Sequence, residues 1–381
     1  MATTTPAVRK TGYIWHEIFA WHDTGTRAGF PYPTEYAQPY RTFENSESKS
    51  RLAGLVEVSG LLDQLVRIKA EPASQEAILA IHEADYIKRI KKESATLGGD
   101  GGDGTTPFGH GSYDIARLAA GGTIAATDAV MRGDVDNAYA LVRPPGHHAE
   151  RGNGIGFCLL ANVPIAIEHA RREYGVERVL IVDYDVHHGN GAQSIYWDDP
   201  NTVTLSIHQQ RLFPPQGGEL EETGGDEARG SCINVPLPAG CGNQAYLEAI
   251  DRVVAPAAAA MKPDLIMVSS GFDPGVLDPL GHMTVTSQGF HAIATRLVEI
   301  ADSVCSGRVV FSHEGGYSPV QVPFCGLAVL QALSGAQTDV EDPFKIYEGL
   351  PSHEIQPWQR SIIDKANSLA EHLSGRWGTP V

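Results

Sequence analysis

Paired cysteines are missing from this chain. Its five cysteines, Cys158, Cys232, Cys241, Cys305 and Cys325, lie far apart and form no Cys-x-x-Cys. That spacing argues against a disulfide framework or a cysteine-zinc knuckle, and buried free thiols are the expectation. Long apolar runs are missing too: nothing approaches the roughly 20 residues that span a bilayer. The opening residues MATTTPAVRKTGYIW contain no apolar signal core. A cytoplasmic protein without membrane contact is expected. Blocks of Lys and Arg are also absent, and the formal net charge is −17. Direct nucleic-acid binding needs a basic surface and is not expected. An acidic surface accommodates cationic substrates without identifying one. There is no internal repeat and no linker, so a single domain over residues 1–381 is expected.

What is present is a regular alternation of short apolar runs and helical patterns. AYALVR (138–143), RVLIVDYD (178–185), TVTLSIH (202–208), DLIMVSSG (264–271) and RVVFSHEGG (308–316) read as strands. Helical periodicity covers 51–68, 114–131, 162–174, 244–261, 287–304 and 322–335, with Pro256 expected to kink or break the fourth. Near-continuous apolar strands separated by helices predict an α/β fold, a mostly parallel sheet with helices on both faces. The polar residues collect just past the strands: Arg143 to Glu150, Asp183 to Asn190, His208, Asp273, and His313 to Tyr317. Ligands of open α/β sheets bind at that rim.

VDYDVHHGNG (182–191) is the most specific segment. Asp185 and His187 share the parity of an extended run and can grip one ion, with Asp183 behind them. Asp273 in GFDPGVLDP (271–279) offers a third ligand. Two carboxylates and one imidazole suit zinc and leave a position for water and substrate, although iron(II) or cobalt(II) accept the same donors. Asp278 reads as a turn cap. RPPGHHAE (143–150) supplies His147 and His148, suited to moving protons near neutral pH, with Asp183 and Asn190 as available partners for their second ring nitrogens. In HEGGYS (313–318), Gly315 and Gly316 allow a sharp turn presenting Tyr317, whose phenol can donate to an oxyanion.

Together RPPGHHA, GFC (156–158), VDYDVHHGNG, SIHQ (206–209), GFDP…DPLG and EGGYS resemble, in order and spacing, the histone-deacetylase family, over about Tyr13 to Gly335. Asn190 and the EGGY form resemble its class II branch and the bacterial histone-deacetylase-like amidohydrolases. The resemblance implies the three-layer arginase/deacetylase fold and removal of acetyl groups from acetyl-lysine or similar acylated amines. It implies one zinc per chain on Asp185, His187 and Asp273, with His148 as general base paired to Asn190. His147 would be the second histidine, paired to Asp183, and Tyr317 the carbonyl polariser. Phe157 and Phe213 would wall the acyl tunnel, with Gly156 lining it and Leu280 at its rim. A structural potassium ion would sit on Asp183, Ser206 and the carbonyls of Asp185 and His187. An acidic residue of the loop 97–111 would clamp substrate backbone, and Asp103 is preferred to Asp100. Arg51 would lie near an internal product channel.

The partners so implied are acetylated lysine peptides, proteins or acetylated amines, and a homo-oligomer is expected. The sequence departs from the family pattern at Asn45-Ser46, in place of His-Pro, and at Leu277. Acetylpolyamine hydrolysis is the close alternative. A two-manganese ureohydrolase would need further carboxylates in the metal segments, and a non-catalytic acyl-lysine reader would not need every catalytic position filled.

Overall fold

The computed structural model describes residues 8–373, so the ends of the domain expected over 1–381 lie outside the described residues. Eight strands form the central sheet: β1 (Thr11–Ile14), β2 (Val66–Arg67), β3 (Asn137–Ala140), β4 (Val179–Asp183), β5 (Thr202–Gln209), β6 (Cys232–Leu237), β7 (Leu265–Ser270) and β8 (Val309–His313). Their order across the sheet is β6-β5-β4-β7-β8-β3-β1-β2. Every pairing is parallel.

Period-two alternation sorts each strand's side chains between two cores. Val179 and Ile181 of β4 pack on one face, Leu180 and Val182 on the other; Leu265 and Met267 of β7 divide in the same way from Ile266 and Val268. Helices 112–131 and 162–174 cover the first face. Helices 47–58, 287–305 and 322–334 cover the second. Both faces of the sheet are buried, which is why its strands are apolar throughout.

Most elements lie within a few residues of the sequence reading, and helix 162–174 has the expected bounds. The helix expected over 51–68 does not exist as one piece. It runs Glu47–Val58 and stops where Gly60 turns left-handed (φ 74°); Val66 and Arg67 then pair with Gly12 and Tyr13 as β2. Pro256 acts as expected. It lacks an N–H and crowds the preceding turn, and the helix passes through a π-helical turn at Ile250–Val254 before resuming at Ala255–Met261.

The chain runs outward from β4 through β5 to β6, then returns to lay β7 and β8 between β4 and β3. The order therefore reverses between β4 and β7. β4, β7, β8 and β3 are consecutive neighbours, and all of the motif segments but SIHQ leave from their carboxyl ends.

Candidate active site

Asp183 is the last residue of β4, opposite Ser206 of β5 and Ser269 of β7. Beyond it the chain turns tightly: Asp183 Oδ1 accepts from the Asp185 N–H (3.0 Å), and Asp185 Oδ1 accepts from the His187 N–H (3.0 Å). The His187 Nδ1 lies 3.0 Å from Asp185 Oδ1 and 3.2 Å from Asp273 Oδ2. Asp273 reaches this point from the end of β7, its Oδ1 fixed by the Val186 N–H (2.9 Å). The other oxygen of Asp185 accepts from the Gly315 N–H (2.8 Å), just past β8. A Cβ on Gly315 would collide with Asp273 Oδ2 and Asp185 Oδ2, so the close approach requires glycine there.

One ligand atom each from Asp185, His187 and Asp273 lie within 4.8 Å of one another. All three residues are buried, and Asp273 Oδ2 has no hydrogen-bond partner among the described residues. Burial and the charge of Asp185 raise the Asp273 carboxyl to about 6. Burial opposes a charge on His187, yet Asp185 and Asp273 push its imidazole up to about 10. A buried, under-satisfied acceptor in a two-carboxylate, one-imidazole donor set fits a divalent cation such as zinc.

From the end of β3 come two adjacent histidines with oriented rings. His147 Nδ1 stands 3.0 Å from Asp183 Oδ2, and His148 Nδ1 stands 2.7 Å from Asn190 Oδ1. The Asn190 amide is oriented by its own Nδ2, which donates to Glu150 Oε1 (3.0 Å). Its Oδ1 can only accept, so Nδ1 of His148 carries the proton and Nε2 keeps the free lone pair. Glu314, fully buried, accepts the Gly146 and His147 N–H groups on Oε2 (2.6 and 3.0 Å), and burial raises it to about 8.

A cavity of about 330 Å³ opens onto this point, with His148, His187 and Tyr317 at its base and Phe157, Phe213, Leu212, Leu280, Phe30 and Pro215 on its walls. Phe157 packs edge-on to Tyr317 (5.8 Å between centroids), and Phe213 packs edge-on to His148 (5.0 Å). Gly156 (φ 53°) and Phe157 (φ 70°) both adopt left-handed backbone, and a Cβ on Gly156 would strike His148 and Phe213. Phenylalanine at such a φ is strained. Two bonds hold the turn: the Gly156 N–H donates to Asp103 Oδ2 (2.9 Å), and the Phe157 N–H donates to Thr106 Oγ1 (3.0 Å). Asp103 is itself exposed at the rim. Among the described residues, no carboxylate lines the cavity.

Ser206 of β5 stands directly opposite Asp183 of β4. With Asp183, Gly189 and Asn234 it lines a separate small space of about 10 Å³, while its Oγ lies 2.8 Å from His208 Nδ1. Arg51 points outward and pairs with Glu47 (2.8 Å) on a largely exposed surface. The inward position of that helix belongs to Lys49, and the buried arginine nearby is Arg143, whose Nε and Nη2 donate to Glu44 (2.9 and 2.8 Å). Neither Lys49 nor Glu44 carries a sequence signal, since each is an isolated charge in a polar stretch. Asp278 does cap its turn, accepting from the Leu280 N–H (2.9 Å), but its second oxygen also accepts from the Tyr317 N–H (2.7 Å).

Comparison with known proteins identifies the family. The family model for the histone deacetylase domain matches residues 42–333. A histone deacetylase-like amidohydrolase of Pseudomonas aeruginosa is 43% identical over 362 residues, spanning 94% of this chain and 95% of the relative. Polyamine deacetylase HDAC10 of Homo sapiens is 36% identical over 68% of this chain and 40% of its own length. The crystal structure of the HDA15 HD domain superposes with a TM-score of 0.83 at 27% identity, covering 97% of both chains.

Proposed function

Because the chain belongs to the histone deacetylase family and is an amidohydrolase of that kind, we propose that it removes acetyl groups from acetyl-lysine side chains of peptides or proteins, with one zinc ion held by Asp185, His187 and Asp273. The observation that carries this reading is the cavity: a largely apolar space of about 330 Å³ whose lining includes Phe157 and Phe213 together with His148, His187 and Tyr317. An unbranched acylated chain fits such a space, and a branched backbone stays outside.

Zinc in that position supplies Lewis acidity toward the carbonyl and toward water. The protein's own groups do the rest. His148 Nε2, with Nδ1–H committed to Asn190, takes the proton of the attacking water. Tyr317 donates its hydroxyl proton in a hydrogen bond to the oxyanion that develops on the acyl carbonyl. His147, held by Asp183, stands beside His148 and aids transfer of a proton to the leaving amine, which departs protonated as acetate forms.

Among the described residues the cavity wall carries no carboxylate, which favours acetyl-lysine over acetylpolyamines, whose remaining ammonium groups would meet Phe30, Leu212 and Leu280. Asp103, at the rim, accepts from the Gly156 N–H and from the N–H and hydroxyl of Thr105, keeps a further lone pair on Oδ1, and is assigned the substrate backbone. Asp183 and Ser206, which line that small space, are assigned potassium together with the Asp185 and His187 carbonyls. The reading further comprises one domain over 1–381, a cytoplasmic location, self-association into a homo-oligomer, and no direct contact with nucleic acid or membrane. No helix among the described residues is long and apolar enough to cross a bilayer.

The test is steady-state hydrolysis of acetyl-lysine peptides, longer acyl-lysine peptides and acetylpolyamines by the purified protein. The reading requires acetyl-lysine peptides to give the highest kcat/KM; preference for acetylputrescine would transfer the assignment to polyamines.

A further inference from the structure

Tyr317 follows two consecutive glycines, Gly315 and Gly316, and glycine pairs provide little stiffness of their own. Its position is nevertheless held from outside, at both ends of one peptide unit. The Gly316 carbonyl accepts from Ser48 Oγ (2.8 Å) and from Lys49 Nζ (3.3 Å), while the Tyr317 N–H of the same peptide donates to Asp278 Oδ2 (2.7 Å). The Lys49 ammonium also lies 5.0 Å from the centre of the Tyr317 ring. Ser48 and Lys49 belong to the first turn of helix 47–58, and Asp278 to the loop beyond β7.

Lys49 is 1% exposed, an expensive place for an ammonium group. Its carboxylate neighbour does not account for it. Glu44 lies 3.4 Å from Lys49 Nζ but is already gripped in a two-point contact by Arg143. One buried carboxylate is thus shared by two buried cations. What Lys49 contributes that Arg143 does not is its reach to the Gly316 carbonyl and the face of the Tyr317 ring.

We propose that Lys49, with Ser48 and Asp278, is a positioning residue for Tyr317: the three clamp the Gly316–Tyr317 peptide so that the phenol is already in place when the acyl carbonyl arrives. This rests on Tyr317 being the oxyanion donor. The buried ammonium sets the ring's height, and the two hydrogen bonds to the carbonyl set its direction. The clamp acts through Tyr317, without touching substrate.

The test is a double-mutant cycle on acetyl-lysine peptide turnover. Lys49→Met keeps the length of the side chain and removes its charge. Losing a hydrogen bond from a charged donor should lower kcat and kcat/KM together by on the order of tenfold, with KM little changed. In a Tyr317→Phe background the same change should cost nothing more, because the group being positioned has gone. Ser48→Ala leaves every buried charge intact and should show a smaller loss with the same non-additivity, so the test stands even where Lys49→Met does not fold. Metal content and circular dichroism are measured on each variant. Undiminished kcat in folded Lys49→Met and Ser48→Ala, or losses that persist in the Tyr317→Phe background, overturn the clamp while leaving the role of Tyr317 intact. A Tyr317→Phe variant with unchanged turnover removes the underlying role itself, and the clamp with it.

Discussion

The rings of His147 and His148 lie 3.9 Å apart, centroid to centroid, and their protonation is pushed in opposite directions. Burial and the neighbouring His147 and His187 drive His148 well below the ordinary histidine range. Burial acts on His147 as well, but the carboxylates of Asp185 and Asp183 outweigh it and raise that ring well above the ordinary range. Neighbouring groups with opposite shifts are the arrangement expected of a base beside an acid.

The proposed base role requires a neutral His148, so activity should persist below the ordinary histidine pKa and fall as pH drops through the lowered value. Asn190→Asp places a negative charge on its Nδ1 side, which favours the protonated ring. The acid limb of the kcat/KM profile should therefore move to higher pH. An unmoved limb would detach His148 from the titration.

Removal of a ligand should remove the ion. Asp185→Ala and His187→Ala are expected to lose both bound metal and activity, whereas His148→Ala should lose activity and retain most of its metal. Elemental analysis of the purified variants checks this, and full metal in the Asp185 variant would break the ligand set.

Asp103→Ala distinguishes two roles for one carboxylate. A backbone clamp predicts a much larger loss of kcat/KM on an acetyl-lysine peptide than on acetylputrescine. Equal losses on both would instead identify its bond to the Gly156 N–H as what matters.

Glu44 tests the buried ion cluster as a source of stability. Burial favours its neutral form, but Arg143 and Lys49 outweigh that and lower it to about 2, from an ordinary value of 4.5. Its depressed pKa contributes stability that is full above the ordinary value and is lost as pH falls toward about 2. Glu44→Gln should cost about 3–5 kcal/mol at neutral pH, since Arg143 is left buried without its partner. It should also flatten the dependence of stability on pH in the acid range. Denaturant unfolding at several pH values measures both.

The alternation of apolar runs and helices in the sequence was enough for the layered fold, because strands buried on both faces leave an unbroken apolar record. β6 gives little strand signal because CINVPL carries a proline and breaks the apolar run with Asn234; as an edge strand it tolerates both. The short β1 and β2 were also missed, since four and two residues are too few to show a period. At the site, Asp185, His187 and Asp273 were legible because strand ends concentrate them. Glu44, Lys49 and Glu314 are not, as nothing in a linear pattern marks a charged residue that will be buried by segments 99 or more positions away. The sequence marks Asp278 as a turn cap but carries no sign of its bond to the Tyr317 N–H.

The most direct measurement is acetate release from an acetyl-lysine peptide by the wild-type protein and by Tyr317→Phe, at equal metal content. Removing one hydroxyl leaves the packing of the ring against Phe157 in place. Loss of an oxyanion donor should reduce kcat by about 10²–10³. Stoichiometric acetate from the wild type and a loss of that size in the variant are the results expected. Wild-type protein that releases no acetate, or a variant that turns over at the wild-type rate, would contradict the assignment of amide hydrolysis to this site.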